Sequence, residues 1–409
     1  MMAPLLKTNP LSSIYKQLIC CLFFSALLGA CLGETSQNKV RAHSNYPEFS
    51  WDRIPLYMHI RKDKSYTEEE IKFIAQFPLI TFEKSNGHKE YGSTEKGTLV
   101  AAKAVKSINP KTTILYYRNV IVHYSGYDAN NKLKSIPKAL LEDQKTGNKK
   151  LIRGSIEAYN LANPKMRDWW VKTCSDMTKS PVIDGIFLDG NIKALEPGYL
   201  KRAVGEENKL KVTEGYHLMM KQTRQAIGKD KLMVSNILRA RFENAGLEYL
   251  DYFDGSYLEG FFHNVGKASY EEYTAKGIDA MQKASSQGKI VAFTTSLNHT
   301  KNKSKMGIDE AHGKVDSDAQ ARANLVYPLA IFLIAAGEHS YFRVHEGYAA
   351  DKKGRWMRWF AEYDKPLGPP VGAAKKSGYT YTRQFKHAKV TLDLSTRTGN
   401  IEWADTQKD

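Results

Sequence analysis

Cysteine is scarce in this chain of 409 residues: there are four, and Cys20, Cys21 and Cys31 all fall near the start. Only Cys174 remains for the folded part, so no internal disulfide is available there and the core must hold by packing. Cys174 lies in the helical pattern WWVKTCSDM and reads as a buried apolar filler rather than a nucleophile. Long apolar runs are also missing. Leu18–Ala30 has 13 residues and Leu325–Ala336 has 12, and both are too short to cross a bilayer as helices. The second contains Pro328 and reads as a helix buried against the last strands of a core. No His-x-x-x-His, Cys-x-x-Cys or calcium-loop spacing occurs, so no metal site is predicted. There is no phosphate-binding glycine loop, no Gly-x-Ser-x-Gly elbow and no nucleic-acid motif. No cofactor is implied, and no internal repeat or low-complexity tract appears.

The amino terminus reads as a targeting segment. Lys7 and Lys16 precede the apolar stretch Leu18–Ala30, the pattern of a secretory signal. Leu28-Gly29-Ala30-Cys31 resembles a bacterial lipoprotein cleavage box. That resemblance implies removal of residues 1–30 and lipidation of Cys31, with residues 31–50 as a polar tether. An ordinary signal peptide with a chance cysteine is the alternative. The expected location is therefore exported and lipid-anchored to a bacterial membrane, at the outer membrane and periplasm or at the cell surface.

The formal charge is +16, and loss of Lys7 and Lys16 with no acid in that segment leaves +14. Such an excess suits a polyanionic partner, a sulfated or uronic polysaccharide above all, although lysines that merely solvate helix faces would produce it too. Nucleic acid is not an expected partner of an exported protein.

From Ile54 to Val344, apolar β-rich runs alternate with helical patterns. The expected strands are Ile54–Ile60, Phe77–Glu83, Thr112–Arg118, Val182–Asp189, Lys231–Ile237, Tyr252–Glu259, Lys289–Thr295 and His339–Val344. Several intervening helices open with Ser, Thr or Asn followed by acids. Strand–helix alternation favours parallel pairing through right-handed crossovers, and a count of eight favours a closed (β/α)₈ TIM barrel over residues 51–345. A doubly wound open sheet is the alternative. Residues 346–409 are expected to add a helix around RWMRWFAEY and a small antiparallel β extension. The lysine-rich stretch after Asn119 reads as an elaborated loop at the carboxyl face of the barrel.

The chemistry is read from the strand ends. VIDGIFLDGN, Val182 to Asn191, is an apolar run closing on Asp189, and DGSYLEGFF, Asp254 to Phe262, repeats the theme with Glu259. Parallel strands of a barrel present their carboxyl ends to one face. That face would gather His59, Glu83, Tyr117, Arg118, Asn119, Asp189, Asn191, Asn236, Tyr257 and Glu259. Amides and carboxylates bond sugar hydroxyls, and aromatics stack on the apolar face of a ring. Cleavage of a glycosidic bond needs one acid to protonate the leaving oxygen and a second carboxylate to attack the anomeric carbon or activate water. Asp189 is the candidate for the second role and Glu259 for the acid, with the other eight residues positioning the sugar. The alternatives are structural: Asp189 capping the next helix or meeting a lysine, Glu259 paired with Arg239 or Arg241, and Glu83 in a salt bridge. Asp184, inside its strand, is expected to satisfy backbone, and His263 to be a rim residue.

NPKMRDWW (Asn163 to Trp170), DGIFLDGN (Asp184 to Asn191), the Glu259 strand, LGPP (Leu367 to Pro370) and Arg383-Gln-Phe385 together resemble TIM-barrel glycosyl hydrolases. The group is the one called hypothetical glycosyl hydrolase family 15 and, more distantly, the endo-α-1,4-polygalactosaminidase-like proteins. The resemblance implies the barrel fold, hydrolysis of O-glycosyl bonds and a catalytic role for Asp189. The overall expectation is a glycoside hydrolase acting on a polysaccharide or oligosaccharide, with an anionic or sulfated chain as the variant suggested by the charge. The rival is a non-catalytic glycan-binding surface lipoprotein on a degenerate barrel.

Overall fold

The computed structural model describes residues 45–260, 268–297, 318–344, 348–350 and 356–404. The expected signal segment, Cys31, most of the expected tether and His263 lie outside them. Fourteen strands occur among these residues, eight of them in one parallel sheet. They are β1 (Tyr57–Ile60), β2 (Leu79–Phe82), β3 (Thr113–Asn119), β4 (Val122–His123), β5 (Glu157–Ala158), β6 (Gly185–Asp189) and β7 (Leu232–Asn236). There follow β8 (Gly255–Glu259), β9 (Ile290–Thr295), β10 (Ser340–Val344), β11 (Lys375–Ser377), β12 (Thr380–Gln384), β13 (Ala388–Asp393) and β14 (Thr398–Trp403). The parallel sheet runs β1-β2-β3-β6-β7-β8-β9-β10. A parallel bridge between Leu56 and Phe342 brings its two edges together, with the Phe342 amide donating to the Pro55 carbonyl at 2.8 Å. The eight expected runs each supply one barrel strand. Several begin about three residues later than expected, and Tyr252 instead ends the 3₁₀ helix Leu247–Tyr252.

These strands read as near-continuous apolar runs because both of their faces are buried. One face fills the barrel: Tyr57, Leu115, Tyr117, Phe187, Tyr257 and Tyr341 belong to an interior cluster separate from the larger one beneath the helices. The two acid-tipped strands share a starting device. Asp184 accepts the Ile114 amide of the neighbouring strand at 2.7 Å and pairs with Lys106. Asp254 accepts the Met233 amide at 2.7 Å and pairs with Arg224. The glycines that follow, Gly185 and Gly255, lie where a Cβ would collide with the Leu232 and Ile290 carbonyls of the next strand. Each Asp-Gly start thus locks its strand against both neighbours, and each strand ends five residues after that aspartate in an acid.

Helices cover the outside. Thr67 with Glu70 and Ser269 with Glu272 form capping boxes, and Asn163 caps the helix Pro164–Thr178 with proline at its first position. The apolar run around Pro328 forms the buried helix Asp318–Ala335. No described helix is long and apolar enough to cross a membrane. Strands β11 to β14 form a four-stranded antiparallel sheet that packs on this helix, where Gly399 approaches Ala330 and Arg383 donates to the Leu333 carbonyl at 2.8 Å.

The helix expected around RWMRWFAEY is corrected over the described residues: only a turn of 3₁₀ helix forms, at Ala361–Asp364. Trp356, Phe360 and Tyr363 recur at helical spacing and are buried, but against Phe73, Phe342 and one another. Tertiary burial of rings, with Pro366 close behind, produces the spacing that reads as helical.

Candidate active site

The strand ends open into a cavity of about 890 Å³. His59, Glu83, Tyr117, Asp189, Asn191, Asn236, Tyr257 and Glu259 all line it, so eight of the ten expected residues converge although they span 200 positions of sequence. Asp189 sits at the centre of a set of donors. Its Oδ2 accepts from the Tyr117 hydroxyl at 2.6 Å and the Asn119 amide at 3.2 Å. Its Oδ1 accepts from the Asn236 amide at 3.1 Å. Burial alone would favour the neutral acid. The Tyr117 hydrogen bond, the Lys84 and Lys193 cations and the Gly190 amide outweigh it, so the carboxyl is held below the usual aspartate range. Burial, and next the Asp189 charge, push the Tyr117 phenol well above its ordinary value, so it remains a donor.

Glu259 lies two strands further on. Arg239 donates to its Oε2 at 2.7 Å and the Tyr348 hydroxyl to its Oε1 at 2.9 Å. Its side chain remains 28 % exposed, against 4 % for Glu83. Glu83 is clamped between Arg61, at 2.8 Å, and Lys84. Burial works against the Lys84 charge, but Glu83 beside it reverses the balance and raises its pKa. The ammonium also lies 5.4 Å from the centre of the Tyr117 ring. His59 is 3 % exposed and packs on Phe187, Tyr257 and Tyr348, forming part of the cavity floor. The Tyr257 hydroxyl is engaged with Thr294 and Tyr348. Asn191 is fully committed: its amide donates to the Leu188 and Asn236 carbonyls and it accepts from Tyr216. It holds the turn after β6 together.

Two expected contacts are corrected. Arg118 does not line the cavity. It follows Tyr117 by one residue, so the two-residue period of a strand turns it to the helix side, where its guanidinium lies 4.6 Å from the Tyr127 ring and 5.6 Å from Trp169. Asn119 is also absent from the cavity wall. It bonds Asp189 from behind while its Oδ1 accepts the Ile121 and Val122 amides, so it positions the carboxylate. Arg343, on β10, stacks on Phe73 and Phe77 and donates to the Trp356 carbonyl, a structural role.

Other lining residues were not anticipated. Lys84 follows Glu83 directly, and Lys193 and Tyr199 follow the Asp189 turn closely, so proximity to a strand end was the available signal. Arg153 comes from the middle of the long β3–β6 connection, and nothing local marks it. Tyr348 comes from beyond β10. Arg239 and Arg241, the expected alternative partners of Glu259, also line the cavity: Arg239 does pair with Glu259, whereas Arg241 reaches Glu196 at 2.6 Å. Among the described residues no group of three or more His, Cys, Asp or Glu is placed to hold a metal ion.

A closed parallel barrel with carboxylates gathered at the carboxyl ends of its strands has the architecture of barrel glycosidases. The chain belongs to hypothetical glycosyl hydrolase family 15, whose model matches residues 106–389. Among solved structures it is similar to the glycoside hydrolase domain of PelA from Pseudomonas aeruginosa, at 12 % identity and a TM-score of 0.45, over 73 % of this chain and 98 % of that one. It is also similar to the maltogenic alpha-amylase AmyB from Thermotoga neapolitana, at 12 % and 0.47, over 84 % and 86 % of the two chains. The GH36 alpha-galactosidase AgaA from Geobacillus stearothermophilus matches at 11 % and 0.46, over 86 % of this chain and 49 % of that one. No curated protein matches the chain.

Proposed function

We propose that the protein hydrolyses glycosidic bonds of a polysaccharide or oligosaccharide in this cavity, with Asp189 as nucleophile or base and Glu259 as general acid. The observation that carries the reading is one cavity shared by two strand-end carboxylates, of which Asp189, against the effect of burial, is held below the usual aspartate range by Tyr117 and the Lys84 and Lys193 cations. Glu259 is preferred as the acid over Glu83 because it is open to the cavity while Glu83 is enclosed by two cations. A general acid matters most when the leaving group is poor. Glu259→Gln is therefore expected to slow release of reducing ends from a natural glycan by about 10²–10⁴-fold. Hydrolysis of the matching glycosyl fluoride, whose leaving group needs no proton, should fall far less. Equal losses on both substrates, or no loss on either, would remove Glu259 from the role.

The Arg239–Glu259 ion pair favours one rival, a glycan-binding protein in which this acid is a structural anchor. Calorimetric binding of a glycan without new reducing ends after long incubation would support it.

From the Leu28-Gly29-Ala30-Cys31 motif we also infer a lipid on Cys31 that tethers the protein to a bacterial membrane. Cys31→Ser should abolish incorporation of labelled palmitate into the expressed protein. Retention of the label would exclude that anchor.

A further inference from the structure

The cations at the cavity fall into two groups. Arg61, Lys84, Arg239 and Arg241 each meet a carboxylate, respectively Glu83, Glu83, Glu259 and Glu196. Lys193 and Arg153 line the same cavity and form no ion pair with any described residue. Lys193 is half-buried, with its ammonium 5.9 Å from the centre of the Tyr199 ring. Burial lowers the Lys193 pKa; the Asp189 charge works against that and the neighbouring Arg153 adds to it, so a further anion at this pair of cations would be favourable.

The cavity does not end there. Tyr124 forms part of its wall and also of the wall of a second cavity of about 890 Å³. The second cavity is lined by Lys134, Lys138, Lys149 and Lys150, and its two acids are engaged, Glu142 with Lys149 at 3.1 Å and Glu157 with His123 at 2.9 Å. Tyr124 therefore lines both the cavity that holds Arg153 and Lys193 and a lysine-lined extension. Arg153 and all four lysines come from the single connection between β3 and β6. One connecting segment thus supplies cations to both cavities.

We propose that the glycan bound here is an acidic polysaccharide whose anionic group lies between Arg153 and Lys193 and whose chain continues past Tyr124 over the lysines of the second cavity. The anion is a carboxylate or a sulfate, and both satisfy the same cations. The proposal rests on the glycosidase reading for what happens to the chain, but not for its binding.

The test is affinity electrophoresis of Asp189→Asn protein, which keeps the polymer intact, in gels holding polygalacturonate, dextran sulfate or neutral dextran. Retardation is expected in at least one acidic polymer and not in dextran, and the acidic polymer that retards identifies carboxylate or sulfate. Adding Arg153→Ala and Lys193→Met should weaken that affinity at least tenfold. Arg153→Glu alone, on an exposed loop residue, should weaken it if the double change perturbs folding. Lys103→Gln, an exposed charge on the outer helix Thr94–Ile108 outside both cavities, should change it less than twofold. Affinity that survives loss of Arg153 and Lys193, that falls equally with Lys103→Gln, or that is greatest for neutral dextran would overturn the proposal, as would no retardation at all. Cleavage of a neutral glycan without acidic binding would spare the hydrolase reading and remove this one. Acidic binding through these residues without any cleavage would do the reverse.

Discussion

Asp189→Asn is expected to lower hydrolysis by at least about 10³-fold while leaving a cooperatively folding protein. The side chains are the same size, so the loss reports charge. The folded state does not ignore the change, because Tyr117, Asn119 and Asn236 all donate to the carboxylate. An amide must turn its own donor towards one of them, at a cost of about 1–3 kcal/mol in unfolding free energy. Measuring kcat/KM beside a urea unfolding curve separates the two effects. A variant that folds and retains more than a tenth of the wild-type rate would exclude Asp189 from the chemistry. The pH dependence follows from the same contacts. Burial opposes the charge, but the Tyr117 hydrogen bond and the Lys84 and Lys193 cations lower the folded pKa below its unfolded value. The acidic limb of kcat/KM should therefore lie below about pH 4, the ordinary aspartate value. The stability contributed by this group is present above the unfolded pKa and is lost as pH falls through the folded one.

Trp170→Ala is expected to have the largest effect on stability, about 3–5 kcal/mol, without touching the cavity. Trp170 is 0 % exposed in the helix Pro164–Thr178, and its indole N–H donates to the Asn119 carbonyl at 3.0 Å. Removing it leaves a void and an unpaired carbonyl in the residue whose side chain steadies Asp189. Trp170→Phe should recover most of the packing and lose about 1 kcal/mol for the hydrogen bond. Denaturant unfolding of the two variants tests the account, and a loss under 1 kcal/mol for the alanine would sink it.

The barrel strands are readable along the chain because each is buried on both faces, so their apolar runs stand out between capped helices. Asp189 and Glu259 are readable for a related reason: a carboxylate closing such a run is conspicuous, and the Asp-Gly start before each marks the strand twice. The paired aromatics around Trp356 mislead because burial by distant partners imitates helical spacing.

Which side of the barrel wall a strand-end residue occupies is another matter. Tyr117 and Arg118 are adjacent and equally polar in outline, yet one holds the catalytic candidate while the other lies beneath the helices against Tyr127 and Trp169. That choice depends on strand register within the closed sheet, which no short stretch of residues encodes. The placing of Arg153 and Lys193 on one cavity, and the pairing of Arg239 with Glu259, arise only when loops and strands far apart in the chain are brought round the same opening. Local order specifies the staves and their acidic tips, because burial is written residue by residue. The company those tips keep is a property of closure, because electrostatic partners are chosen by distance in space.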